Sequence, residues 1–248
     1  MASARAGWRP LNPVIGRITA RALLGRRRAL LLAPLPLLLI ALAAAGRSMD
    51  DPAGWANQVV NGLGVSAILP LVALIIGTSV LGSEIEDGSA VALLAKPVAR
   101  RDVVLTKLAV AFAVTALLAA LPVFLAGLAA TGEAGGLTAG YTVGALAGSV
   151  VYCALFLALS LVTRRAVAVG LLYVLLWEGV LGSLVAGAKY VSVRQYLLGM
   201  AHSVASSDLI DAHLSAVVAV VMSILVTAAA TALAVNRLRS FSLKGEST

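Results

Sequence analysis

The stretch SEIEDGSAVALLAKPVARRDVVLTK, Ser83 to Lys107, is the densest mixture of acids and bases in the chain. No residue of 52–83 before it is charged, and none of 108–132 after it. Each of those runs is at least as long as the roughly 17–25 residues that carry a helix across a bilayer. A charged island between two such runs reads as a loop joining membrane spans. Bulk composition agrees with this. Of the 248 residues, 60% are hydrophobic and 12% charged, against roughly 25% charged in a soluble domain. Mean hydropathy is +1.00. Lipid offers no partner to open backbone groups, so the spans must be helices and the fold class is all-α integral membrane.

Working outward from the loop gives six transmembrane helices, at about 29–45, 59–81, 108–130, 137–162, 166–185 and 214–235. They make one transmembrane domain over residues 1–248, with a leader at 1–28, the loop at 83–107 and an outer segment at 186–213. Pro34, Pro36, Pro70 and Pro122 fall inside spans and are expected to kink them. Gly144, Gly148, Gly179 and Gly182 offer positions for close helix contact.

Basic residues set the orientation. Arg5, Arg9, Arg17, Arg21 and Arg26 to Arg28 precede the first span. Lys96, Arg100, Arg101 and Lys107 lie in the loop, Arg164 and Arg165 between spans four and five, and Arg237, Arg239 and Lys244 after span six. Only Arg47, Lys189 and Arg194 fall on the other side. The positive-inside rule puts both termini and the 83–107 loop in the cytoplasm. The net charge of +8 is then explained by anionic headgroups. No stacking module points to nucleic acid. The basic leader, apolar run and ALAAAG can also be read as a cleaved export signal. Against this, the apolar run exceeds the roughly 7–15 residues of such signals.

In the leader, Asn12-Pro13 is a helix start. Ile15, Ile18 and Ala22 share one helical face, with Arg17, Arg21 and Arg28 opposite. That pattern describes an interfacial amphipathic helix in the inner headgroup layer, rather than a plain charged flank. The outer segment, about 186–213, is too polar to span. Its Tyr190, Tyr196, Lys189 and Arg194 suit an interface, so it is expected to lie on the outer leaflet or dip into it. His202, Asp208, Asp211 and His213 lack tight ligand spacing and read as ordinary polar residues, not a metal site. Cys153, alone, excludes an intrachain disulfide. There is no phosphate loop, since none of the four lysines follows a glycine. There is also no HExxH or GxSxG motif, so no catalytic site is indicated.

Glu178, in LLYVLLWEGVLG, is the thirteenth residue of the fifth expected span, roughly 18 Å in at about 1.5 Å per residue. An ionised group at mid-membrane costs at least roughly 2.5 kcal/mol. Either it contacts substrate or protons, or it is a hydrogen-bonded carboxyl organising the start of the outer segment; the second reading is preferred. No lysine or arginine is evident as a partner at its depth.

The loop itself places Glu84, Glu86 and Asp87 before Gly88-Ser89. The apolar block AVALLA follows, carrying Val91, Leu93 and Leu94. Lys96-Pro97, Arg100 and Arg101 close it. A helix over 89–95 is too short to persist alone and needs a surface to dock on. The plainer alternative is a polar loop whose leucines touch the bilayer.

The series Glu84, Gly88-Ser89, Leu93-Leu94, Pro97, Arg100, Lys107 resembles the permeases of type-2 ATP-binding-cassette transporters. The six-span plan, the amphipathic leader and the outer segment between spans five and six are similar to that family too. YVLLWEGVLG is similar to a stretch of its single-domain bacterial members. The resemblance implies a permease subunit of an ATP-driven exporter in the bacterial cytoplasmic membrane, with no catalytic residues or cofactor of its own. It implies a second permease chain, identical or related, and two ATPase subunits that carry ATP and Mg. Residues 88–95 would be the coupling helix seated in the ATPase. Glu84 would stand at the gate end of span two, and Arg100 and Lys107 would brace the loop against headgroups or the ATPase. Asp87 departs from the family pattern and makes the docking surface more acidic. The apolar spans are compatible with lipids, hydrophobic drugs or peptides as cargo. Two alternatives are a proton-coupled secondary transporter using Glu178, which would call for inverted repeats not seen here, and a membrane scaffold.

Overall fold

The structure, a computed structural model, describes residues 16, 19, 32–86, 100–181 and 190–243, without the side chains of 82–86, 180, 181 and 239–243. Every described element is helical. We label them α1 (Pro34–Ala45), α2 (52–86), α3 (Arg100–Thr131), α4 (Gly136–Val162), α5 (166–181), α6 (Val193–Ala205) and α7 (Ala216–Leu243). Buried residues from Leu32 to Leu238 form one continuous core.

Four helices are long and apolar enough to cross a membrane: Pro52–Leu81, Arg100–Thr131, Gly136–Val162 and Ala216–Leu238. The first and fifth expected spans appear as shorter apolar helices, Pro34–Ser48 and Ala166–Gly179. The remainder of each expected span lies partly outside the described residues. Span two starts earlier than its apolar run suggests. Asp51 accepts a hydrogen bond from the Gly54 backbone N–H at 2.9 Å and Pro52 takes the first turn, so RSMDDPAGWANQ is mostly helix rather than loop. Trp55 then folds back on α1. Its ring occupies the space a Cβ on Gly46 would need, and its indole N–H donates to the Leu42 carbonyl at 2.9 Å.

The expected proline kinks take a specific form. Pro70 follows the π-helical stretch Val60–Ile68, and Pro122 follows Ala116–Ala120. A proline lacks an N–H and its ring crowds the carbonyl four residues back. That carbonyl belongs to Ser66 in one case and Leu118 in the other, and both lie in the widened turns. The π-helical geometry relieves the crowding without breaking either helix.

α4 is the central helix. Its most apolar stretch is 67% buried, against 17% for α7, which makes α7 peripheral. One ridge of α4 is Gly140, Gly144 and Gly148. A Cβ on Gly140 would stand 2.5 Å from the Ala201 carbonyl oxygen, and one on Gly144 would stand 2.8 Å from that of Leu197. One on Gly148 would meet the Leu197 side chain at 2.5 Å. Small residues let two backbones approach, and here they seat α6. Tyr196, Leu197 and Leu198 of α6 are consequently buried to 2% exposure or less. Residues 193–205 therefore pack into the bundle. Gly144 and Gly148 do make close contacts, whereas a Cβ on Gly179 would meet, among the described residues beyond its own turn, the Val174 carbonyl at 3.8 Å. Gly182 lies outside the described residues. On another side of α4, Phe156 packs against Gly77 of α2 and Gly170 of α5. It also meets Tyr152 and Tyr173 at ring separations of 5.9 and 6.4 Å.

α3 and α4 run antiparallel, and α5 and α6 both run against α4. Gly132, at φ +78°, ends α3 by donating to the Leu128 carbonyl at 2.9 Å. Residues 133–135 return the chain into α4. The starts of α3 and α5 and the end of α7 thus share one face of the bundle, with Arg100, Arg101, Arg164, Arg165 and Arg237 on it. The turns at 46–51 and 132–135 lie on the other.

Gly144→Val is expected to lower stability by about 1–3 kcal/mol through overpacking. Gly62→Ala, where nothing lies within 4 Å of the added carbon, is expected to be neutral or slightly stabilising. Thermal unfolding of the detergent-solubilised protein checks both, and equal effects at the two sites would contradict the packing of α6 on α4.

Candidate functional site

Glu178 is 6% exposed and sits in the π-helical end of α5, Tyr173–Leu181. Both carboxylate oxygens are occupied. Oε1 accepts from the Tyr173 hydroxyl at 3.0 Å and the Val193 backbone N–H at 2.9 Å. Oε2 accepts from the Ser192 hydroxyl at 2.6 Å and the Arg194 N–H at 3.3 Å. Ser192 is also the N-cap of α6, accepting from the Gln195 N–H. The first turn of a helix leaves N–H groups without intrahelical partners and carries partial positive charge. The Glu178 carboxylate meets both needs from a neighbouring helix. It thus joins the end of α5 to the start of α6.

Arg194 extends this clamp. Its Nε donates to Ser66 Oγ at 2.7 Å and its Nη2 to Asn61 Oδ1 at 3.0 Å, both in the π-helical part of α2. Ser66 in turn donates to the Asn61 carbonyl five residues back at 2.7 Å, a reach that suits π-helical spacing. Asn57, one turn earlier, accepts from the Tyr141 hydroxyl of α4. A polar belt therefore crosses α2, α4, α5 and α6. Arg194, sixteen residues beyond Glu178, reaches it through its backbone N–H, while its guanidinium turns to α2. Asn57, Asn61, Ser66, Tyr141, Tyr173 and Ser192 were not singled out from sequence. The only signal was the set of amides and hydroxyls within otherwise apolar runs. Three buried polar atoms have no partner among the described residues: Trp177 Nε1, Gln195 Oε1 and Ser223 Oγ. The first two belong to residues flanking the clamp.

At the opposite face, α2 runs through Glu84 and Glu86, and α3 begins at Arg100. The side chains of Glu84 and Glu86 lie outside the described residues. So do Asp87, Gly88, Ser89, Val91, Leu93, Leu94 and Pro97, and in the leader Ile15, Arg17, Ile18 and Arg21. Two leader residues are described. Gly16 and Thr19 are helical, Thr19 is buried, and Gly16 faces Thr106 and Val110 of α3. Lys107 differs from its expected bracing role at headgroups or an ATPase. It is fully buried, and its ammonium donates to the Val80 carbonyl of α2 at 2.8 Å. Facing inward, it ties the two helices together just inside the 83–107 segment. Of the outer histidines, His213 lies 3.2 Å from Asp211. Among the described residues no three His, Cys, Asp or Glu side chains converge.

An all-helical bundle with several apolar helices, a buried polar clamp and segregated arginines defines a multi-pass membrane protein. The family model for the ABC-2 family transporter protein matches residues 27–194. The chain belongs to that family and is an ABC-2-type permease, the membrane part of a transporter that works with an ABC ATPase. No curated protein matches the chain.

Glu178→Gln would turn an amide NH2 toward donors already in place. It is expected to cost about 1–3 kcal/mol, the penalty of unsatisfied buried groups. Ser192→Ala is expected to cost about 1 kcal/mol as a lost cap. Melting temperatures in detergent measure both, and an unchanged Glu178→Gln protein would refute the clamp.

Proposed function

We propose that the chain is the non-catalytic permease subunit of an ATP-driven exporter. Two permease chains, identical or related, form the substrate path, and two ATPase subunits carrying ATP and Mg dock at residues 83–107. In this reading both termini and the arginine-rich face lie in the cytoplasm of a bacterial cell. The chain makes six passes of its cytoplasmic membrane, with the outer segment re-entrant from the opposite side. Residues 1–28 lie along the inner interface, and the whole chain acts as one domain.

The observation that carries the reading is the Lys107 tie to Val80, taken with family membership. A segment pushed by a nucleotide-driven partner moves a gate only if its two flanking helices move together. Glu84 is one turn beyond Val80 on α2, and Arg100 lies two turns before Lys107 on α3. A force on Gly88, Ser89, Val91, Leu93 or Leu94 would reach both helices through a short, stiff junction. Glu86, Asp87, Pro97 and Arg100 frame that docking patch. The competing proton-carrier role for Glu178 finds less support, because its two oxygens already accept four hydrogen bonds.

The test is to purify the full complex, reconstitute it in vesicles, and measure ATP hydrolysis and transport in parallel. Glu84→Ala and Gly88→Pro are expected to lower transported molecules per ATP at least about fivefold while hydrolysis persists. Lys107→Met is expected to do the same without loss of ATPase binding. Transport by the chain without any ATPase would overturn the proposal. So would a pH-gradient-driven flux abolished by Glu178→Gln.

A further inference from the structure

A groove of about 760 Å³ runs between α3, α4, α6 and α7, away from the Glu178 clamp. On α7 its lining extends from Val220 to Asn236, about 24 Å at roughly 1.5 Å per residue. The hydrocarbon core of a membrane is about 30 Å thick, so the groove runs most of its depth. Leu105, Leu108, Val150 and Ile224 make the walls mostly apolar, with the small hydroxyls of Ser223, Thr227 and Thr231 on the α7 side. Polarity returns at the arginine-rich end, where Arg101 and Asn236 line the mouth. Arg101 is exposed. Among the described residues its guanidinium has no hydrogen-bond or ion-pair partner, and neighbouring Asp102 does not line the groove.

We propose that this groove holds one anionic phospholipid, with its phosphate on Arg101 and an acyl chain along α7 toward Met200. Three features select that occupant. The groove runs from a cationic mouth to an apolar interior, the same order as in one leaflet. Its lining on α7 recurs every three to four residues from Val220 to Asn236, a continuous strip along the helix axis that suits an extended acyl chain. Among the described residues the mouth carries positive charge and no acid lines it, which favours an anionic over a zwitterionic headgroup. The orientation proposed above decides only which leaflet supplies the lipid; the site does not require the transport reading.

Full-length protein is placed in vesicles of equal phosphatidylglycerol and phosphatidylcholine. Each lipid is added in turn as a trace probe with a photoreactive group midway along the chain, and labelled peptides are mapped by mass spectrometry. The phosphatidylglycerol probe is expected to label residues 224–232 about fivefold more than the phosphatidylcholine probe, the factor corresponding to about 1 kcal/mol for one basic residue at an anionic lipid. Arg101→Gln, at an exposed position, is expected to abolish that preference. Ala228→Trp, on the groove's exposed rim, is expected to reduce labelling by both probes. Equal labelling by the two probes, a preference that survives Arg101→Gln, or labelling untouched by Ala228→Trp would each overturn the proposal. Loss of labelling on assembly with the ATPase would also overturn it, by showing that protein covers the groove.

Discussion

A carboxylate that caps a helix it does not belong to is the contact on which the burial of α6 depends. α6 follows span five and is too polar to cross the membrane, yet it lies buried against the centre of the bundle. Its first N–H groups would be costly there without an acceptor. Glu178 supplies both oxygens to them, and Ser192 adds the cap. Burial of Glu178 and burial of the α6 N-terminus are each unfavourable alone, and each removes the other's penalty. The glycine ridge of α4 then sets how closely α6 can approach.

The π-helical stretches belong to the same account. Two of them precede prolines and have a local cause. The third, Tyr173–Leu181, contains no proline and holds Glu178 instead. Widened turns are common where a side chain must be re-aimed. Here the widened turn carries the residue that must reach across to α6. The stretch in α2 serves two purposes, since it relieves Pro70 and presents Asn61 and Ser66 to Arg194.

Sequence made much of this legible, for identifiable reasons. Long uncharged runs mark membrane helices because lipid penalises any charge, and arginines mark one face because topology depends on them. Glu178 stood out as an acid where none is cheap; cost alone left a substrate or proton contact and a hydrogen-bonded structural carboxyl both open, with the second preferred. Arg194 was not paired with it because the pairing runs through a backbone N–H and through α2, which no local period reveals. Lys107 was misread because a lysine beside a charged loop ordinarily seeks headgroups. Only the approach of α2 to α3 shows a carbonyl waiting for it. The start of α2 was missed because Asp51 and Pro52 are helix-start residues set in a stretch polar enough to pass for loop.

The two cations act on the same helix. Lys107 holds α2 at Val80, and Arg194 holds it at Asn61 and Ser66. Ser66 and Val80 are about 21 Å apart at roughly 1.5 Å per residue, and each anchor comes from a different neighbour. A tilt of α2 relative to the bundle must therefore strain or release a charge-assisted hydrogen bond at one end or the other. Such bonds are directional, the Lys107 one buried and the Arg194 ones partly so, and they resist small rotations. The π-helical turns beside the Arg194 anchor are where α2 can change register with the least disruption to its own backbone.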